Sequence, residues 1–425
     1  MIVQMARTCL GLQRSQWLSK KQLEEIQLER VKAIVTHAYR KVPFYRNLYD
    51  AAHIDPTELR EIGDIRKLPI ATKQHFRSTP LEERRAVDAN ISEYRSDLTS
   101  GSTGIPITIL DDPYYAMHQE SLNLRFAWAI GVRPLDRVCR VSSILHPSFE
   151  EMGSWYGVKR RFYRHLNAIE PITNHVRFYR AWKPNVLSSG PWYYKILARF
   201  CRETGHNLNF DRAVTDGDIL SDATRRTISD NLHADVYDIY GLNEVGSVAW
   251  ECMVHAGYHI NADSVLVEFL RNGEPVDPGE PGEVYVTSFC RTATPIIRYF
   301  TGDVGTPVGD GCPCGRGLPL MKQIQGRVID FIQTEKGDVL SPYMVIQNLQ
   351  SANGLEQFKV VQNRDYTIEV LVKLREECSD ITLLDIENRC RKLFGQIPVN
   401  VMSVKQIENE TGPKFRLVES RLTMN

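Results

Sequence analysis

The chain has 425 residues, 42% hydrophobic and 24% charged, with 52 Lys plus Arg balancing 52 Asp plus Glu. That length suits two or three structural units, and a formal charge of zero argues against a general surface for nucleic acid or an anionic membrane. The opening MIVQMARTCLGLQRSQW has too short an apolar core for a signal peptide, and no run reaches the roughly 18 apolar residues of a spanning helix, so a cytoplasmic location is expected.

The first ninety residues read as helical. In SQWLSKKQLEEIQLERVKAIVTHAYRKV apolar residues recur at three- and four-residue steps, and Pro43 ends the run. A helical cap over a larger domain is expected there. The stretch Leu98–Pro106, LTSGSTGIP, follows. Gly101 and Gly104 allow a backbone to approach an anion, and Ser100, Ser102 and Thr103 supply hydroxyl donors around it. No lysine follows in the P-loop position, so the stretch is either a different phosphate-holding loop or a surface turn.

From Tyr94 to about Arg327, short apolar runs (ITIL, RVCRVSSIL, NVLSSG, ADVYDIYG, VLVEFL, GEVYVTSF) alternate with helical stretches (WYYKILARFCRET, SDATRRTISDNL). That alternation predicts α/β layers. After GRVIDF the pattern restarts as strand (GDVLS), helix (PYMVIQNLQ), two strands (FKVVQ, TIEVLVKL), helix (LLDIENRCRKLFG) and strand (VNVMSVKQI), which predicts a small α+β domain.

Nine cysteines are scattered without the spacing of a disulfide framework, and reduced thiols are expected. One local cluster differs: Cys312 and Cys314 sit in the glycine-rich GDGCPCGRG, and Cys252 opens ECMVHAGYHI with His255 and His259 behind it. Three thiolates and one imidazole make a tetrahedral set suited to structural zinc, with one histidine redundant. Unliganded thiols beside a surface histidine are the alternative.

Four segments then fall in order: LTSGSTGIP, DIYGLNEVG (Asp238–Gly246), RYFTGDVG (Arg298–Gly305) and GRVIDFI (Gly326–Ile332). In this order and spacing the chain resembles the adenylate-forming superfamily, in particular its phenylacetate-CoA ligase-like and CapK-like branch. HAYRKVPFYRNLYD (His37–Asp50), IRKLPIATKQHFR (Ile65–Arg77) and GLEQFKVVQ (Gly354–Gln362) extend the likeness over nearly the whole chain. The resemblance implies an ATP- and acid-binding domain over residues 1–327, its first 90 residues the helical cap, and a mobile lid over residues 328–425. It implies an ATP- and Mg2+-dependent ligase that forms an acyl-adenylate from a small carboxylic acid and passes the acyl group to CoA. An amine acceptor, or nucleotidyl transfer to a hydroxyl, are the alternatives. Neither nucleic acid nor membrane enters as a partner, and a homodimer stays open.

The resemblance also assigns roles. Ser100, Ser102 and Thr103 would contact the β- and γ-phosphates, Tyr240 would stack near adenine with Gly217 and Gly241 beside it, and Asn243 would reach the α-phosphate. Glu244 would hold magnesium, Asp303 would bind the ribose hydroxyls, and Arg327 would reach ribose or phosphate. Lys414 in ETGPKFRLVES would be the adenylation lysine. The acid would meet Trp192 and Tyr193 in SSGPWYYKIL, the loop AVTDGDIL, and Leu242. In zinc-bearing relatives the ligand pattern carries over to Cys252, His259, Cys312 and Cys314, with His255 as the competitor. Departures are Asn243 for Thr or Ser, Phe300 for Arg, Ile329 for a hinge Asp or Lys, and Pro413 between Gly412 and Lys414.

Overall fold

The computed structural model describes residues 2–98, 107–142, 162–168, 170–327, 331–333, 339–340, 345–346, 348–349, 352–375, 380–407 and 417–422. The amino-terminal region is helical as expected, with helices Ile2–Ser15, Lys20–Lys41 and Pro43–Ala51 followed by short turns of helix. Ser19 starts the second helix through a capping box: its hydroxyl accepts from the Gln22 amide, and the Gln22 side chain accepts from the Ser19 amide. Leu23, Val31, Ile34, Val35 and Ala38 form its buried face. Pro43, lacking an amide hydrogen, ends that helix and opens the next.

The end of the first helix is fastened to the body by a buried ion pair. Arg125 donates to both oxygens of Asp263 at 2.6 and 3.1 Å and to Asn261 Oδ1 at 2.6 Å, and Ser15 shares the same carboxylate. Burial alone would raise the Asp263 pKa, but the Arg125 guanidinium overrides it and holds the carboxyl at about 2.

Among the described residues a nine-stranded sheet runs Pro307–Val308, Leu320–Met321, Tyr258–Ile260, Gly246–Glu251, Asp235–Leu242, Arg212–Asp216, Val186–Ser189, Val138–Ser142, Tyr163–Asn167. The last five are mutually parallel and the first four pair antiparallel. Both faces of the parallel part are covered, which explains its runs of apolar residues. Cys139, Leu187, Ala213 and Val236 face one core with Tyr179, Leu197 and Ile228 from the helices Ile172–Trp182, Pro191–Thr204 and Asp222–Leu232. Val186, Val214 and Tyr237 face the other core with Phe126 and Ala129 of the helix Pro113–Ala129.

A second, antiparallel sheet orders Glu274–Pro275, Val265–Arg271, Gly282–Ser288, Tyr299–Gly305 and Gly326–Arg327. Its first hairpin closes on Asn272 and Gly273, both at positive φ (53° and 84°), the pair a two-residue turn of this hand requires. In the carboxyl-terminal region the strands Val399–Ser403, Ile368–Leu374, Leu355–Gln362 and Val418–Ser420 form a separate sheet. With the helix Asp380–Phe394 they enclose their own core of Phe358, Val360, Val370, Ile386 and Phe394. The α/β class and the α+β character of the tail follow the sequence expectation. Elements that were not expected include the strands Tyr163–Asn167, Gly246–Glu251 and Tyr299–Gly305, and the helices Pro113–Ala129 and Ile172–Trp182.

Candidate active site at the strand ends

The parallel register sets the site. Ser189 is level with Thr215 and Asp216 with Ile239, so Gly190, Gly217 and the Tyr240–Leu242 segment lie at one edge, outside the carboxyl ends of neighbouring strands. Open α/β sheets bind ligands at this edge. Gly217 has φ +77°, which favours glycine there. The strand Asp235–Leu242 slips register at Tyr240 and Gly241 as it turns back, and a Cβ on Gly241 would come within 3.0 Å of the Gly246 carbonyl oxygen.

In that turn Asn243 is exposed and Glu244 is buried. Tyr299 donates its hydroxyl to Glu244 Oε1 at 3.1 Å, and the other carboxylate oxygen has no hydrogen bond among the described residues. Tyr240 donates to Asp303 Oδ2 at 2.7 Å. Asp303 lies inside the strand Tyr299–Gly305 and is directly opposite Arg327 in the pairing. Tyr240, Glu244, Asp303 and the Arg327 backbone are thus brought to one place by two sheets meeting. Leu242 is half-buried against the core beside them.

Gln119 escaped the sequence reading. Its amide donates to the Val245 carbonyl at 3.2 Å and accepts from the Ser247 amide at 3.1 Å, clamping the turn that carries Glu244. Gly246 has φ +86°, and a side chain there would overlap the Gln119 amide. A lone glutamine on a helix carries no periodic signal, so nothing in the sequence marked it.

Beneath the edge, Asp238 anchors the same strand. It accepts from Thr215 and from Tyr258, the latter at 2.8 Å, while its own amide donates to Glu251 at 2.9 Å. Arg225 holds Glu251 in a two-pronged contact at 2.8 and 2.9 Å. Burial pushes the Asp238 carboxyl up to about 8.

The aromatic trio separates. Trp192 is 41% exposed. Tyr193 is in the core, its hydroxyl 2.6 Å from that of Tyr179 and 2.9 Å from His175 Nδ1. Tyr194 is buried too and donates to the Leu187 and Val214 carbonyls. The reason is helical phase: Tyr193, Tyr194 and Leu197 follow Pro191 on the face that meets the sheet, which leaves Trp192 outward. For Tyr193, packing replaces the expected pocket role.

Four ligand atoms, from Cys252, His259, Cys312 and Cys314, lie within 4.8 Å of one another. The Cys252 and Cys312 sulfurs are 3.7 Å apart, and Cys314 Sγ is 3.4 Å from His259 Nε2. Sulfurs around a tetrahedral ion bound at about 2.3 Å would stand about 3.8 Å apart, so the spacing fits zinc. His255 is elsewhere, stacked on Tyr237 at 5.0 Å with its Nδ1 3.8 Å from Glu251. The strand pairing of His259 with Leu320 brings it beside the Cys-x-Cys turn.

Ser100, Ser102, Thr103, Ile329 and Lys414 lie outside the described residues. No described helix is long and apolar enough to cross a membrane.

No family model matches the chain. It is similar to the phenylacetate-coenzyme A ligase of Thermus thermophilus, at 27% identity covering 85% of this chain and 83% of the relative. The phenylacetate-coenzyme A ligase of Escherichia coli matches at 28%, covering 87% and 86%. A fumarate–(S)-2,3-diaminopropanoate ligase of Enterobacter agglomerans matches at 28% over 33% of this chain and 36% of its own. Among solved structures, a 2-hydroxyisobutyryl-CoA ligase in its postadenylation state superposes with a TM-score of 0.81 at 22% identity, covering 96% of this chain and 92% of that one. The same ligase with its adenylate and CoA in the thioesterification state gives 0.66 at 21% identity, covering 96% and 92%. The chain is a homologue of phenylacetate-coenzyme A ligases, and its fold is that of the adenylate-forming enzymes.

Proposed function

We propose that this protein is an ATP-dependent acid–CoA ligase that works through an acyl-adenylate. The observation that supports it most is the meeting of Tyr240, Glu244 and Asp303 at the carboxyl edge of a parallel sheet, in a homologue of such ligases. A carboxylate oxygen attacks the α-phosphorus of ATP, pyrophosphate leaves, and the CoA thiol then attacks the acyl carbonyl with AMP as leaving group. Both first reactants are anions, so the site must align them and offset charge.

Asp303 binds the ribose hydroxyls with its carboxylate steadied by Tyr240, and the Tyr240 ring lies against adenine beside Gly217 and Gly241. Asn243, exposed on its turn, reaches the α-phosphate. Ser100, Ser102 and Thr103 hold the outer phosphates, Arg327 the ribose side, and Lys414 adds a cation during adenylation. Glu244, with one oxygen uncommitted, would hold magnesium, which would supply charge compensation at the phosphates. Cys252, His259, Cys312 and Cys314 would hold a structural zinc, all four positions protein-filled. Residues 1–327 act as the binding domain and residues 328–425 as a mobile lid.

An amine acceptor is the second reading, supported by the partial match to a ligase that joins fumarate to diaminopropanoate. Pyrophosphate release from ATP and Mg2+ over a panel of acids, with CoA, with amines and with neither, tests both. Acid-dependent release that needs CoA for turnover supports the thioester reading. Turnover with an amine and no CoA moves the assignment to amide formation, and release with no acid dependence rejects adenylation.

A further inference from the structure

The carboxyl edge of the parallel sheet also has a polar patch that the nucleotide chemistry leaves unused. On the face where Val186 and Val214 pack against the helix Pro113–Ala129, the next residues toward that edge are Ser188 and Asp216. Arg140 is level with Ser188 and His165 on the same face. Its guanidinium Nη1 donates to Ser188 Oγ at 3.0 Å and to Asp216 Oδ2 at 2.8 Å. Arg140 stands level with Val214 across the strand Val186–Ser189, and Asp216 is one repeat further along. The guanidinium therefore extends toward the carboxyl edge. Ser142, at the end of the same strand, meets His165 Nε2 at 2.9 Å.

The position is a switch point in the topology. The chain leaves Val138–Ser142 for Tyr163–Asn167 on one side, then returns to Val186–Ser189 on the other and continues to Arg212–Asp216. Strands whose connections depart in opposite directions leave a crevice between their carboxyl ends, where such sheets bind small molecules. Arg140 reaches from one side of that switch point across Val186–Ser189 to Asp216.

A part-exposed ion pair contributes at most about 1 kcal/mol, and hydrophobic residues of similar volume serve a covered sheet face as well. The Arg140 and Asp216 side chains remain 29% and 27% exposed. Arg140 Nε and Nη2 and Asp216 Oδ1 hold no hydrogen bond among the described residues. The patch therefore carries no net charge and presents donors and an acceptor side by side. A second carboxylate would face Asp216, and an ammonium would face Arg140. A neutral group that both donates and accepts matches both.

We infer that the acid this enzyme activates carries a hydroxyl, which accepts from Arg140 and donates to Asp216 at the switch-point crevice. This rests on the acid-ligase reading above and narrows its substrate class. A site built to bond a hydroxyl discriminates strongly against the analogue without it, because its polar groups are then left unpaired.

The test is acid-dependent pyrophosphate release on the full chain with size-matched pairs, such as hydroxyphenylacetates against phenylacetate and hydroxylated against plain short aliphatic acids. The wild type is compared with a variant carrying both Arg140→Met and Asp216→Asn, which removes both charges and leaves neither partner stranded. In at least one pair the hydroxy acid should be favoured by about tenfold or more in kcat/KM, and the double variant should reduce that preference to within about threefold through a raised KM. The inference is overturned if the plain acid is preferred in every pair. It is equally overturned if the preference survives the double variant, or if the variant lowers kcat alike for both members, as a structural role would. Silence with every acid overturns the ligase reading itself, and the substrate class with it. Far-UV circular dichroism verifies that the double variant is folded.

Discussion

Tyr240 and Asp303, 63 residues apart in the chain, share a 2.7 Å hydrogen bond that joins the end of a parallel strand to the antiparallel sheet beside it. Tyr240→Phe should weaken ATP binding by roughly 1 kcal/mol, about fivefold in KM, by releasing one carboxylate oxygen. If Asp303 binds the ribose as proposed, Asp303→Ala should cost more, because the nucleotide then loses the acceptor itself. Pyrophosphate exchange at varied ATP separates the two, and equal values for both variants would reject the orienting role of Tyr240.

Glu244→Gln keeps the shape of the side chain and its bond from Tyr299 while removing charge. Exchange should fall by about two to three orders of magnitude in kcat, with an unchanged thermal midpoint. A variant that keeps most of its exchange rate would remove Glu244 from the metal assignment.

The four-ligand cluster predicts about one equivalent of zinc per chain in elemental analysis of purified protein. Cys312→Ser should lose that metal and lower the thermal midpoint, whereas His255→Ala should retain it. Zinc retained in full by Cys312→Ser would refute the ligand set.

Asp238 predicts a pH dependence with a definite sign. Its folded pKa of about 8 lies above the unfolded value of about 3.9, so between those values the native state binds more protons than the unfolded one. The contribution is therefore complete below about pH 4 and is lost as pH rises toward 8. The stability difference between wild type and Asp238→Asn, followed by urea unfolding from pH 4 to 8, should move against the wild type as pH rises. A flat difference would refute it.

Arg125→Met strands Asp263 in the core and should cost about 3–5 kcal/mol in urea unfolding. Changing Asp263→Leu in the same chain should recover most of the loss, since no charge is then left unpaired. If the second change deepens the loss, the pair stabilises beyond its mutual neutralisation.

The alternation of apolar runs was enough to read the α/β class and the strands that carry Tyr240 and Leu187, because strands covered on both faces are written in continuous apolar letters. Strand order was not legible. Tyr163–Asn167, an edge strand with the letters YRHLN, had no such pattern, and its side chains are mostly half-exposed. Tyr193 was read toward a ligand because composition cannot give helical phase. His255 and His259 were indistinguishable as letters. In the fold His255 sits on a left-handed turn (φ 53°), whereas His259 is held in a strand beside the cysteines. Gln119 and Arg140 were missed for one reason: each acts through a partner that only tertiary structure supplies.

The cysteine and histidine cluster is also a fastening in the chain's topology. Cys252 and His259 precede the sheet that contains Tyr299 and Asp303, and Cys312 and Cys314 follow most of it. The two halves of the cluster therefore bracket most of that sheet in the chain, and whatever ties them together shortens the reach of the unfolded segment between them as a covalent crosslink would. On the proposed assignment, loosening that cluster would let the strand that carries Asp303 drift from Tyr240, so damage there would first be felt as weaker nucleotide affinity.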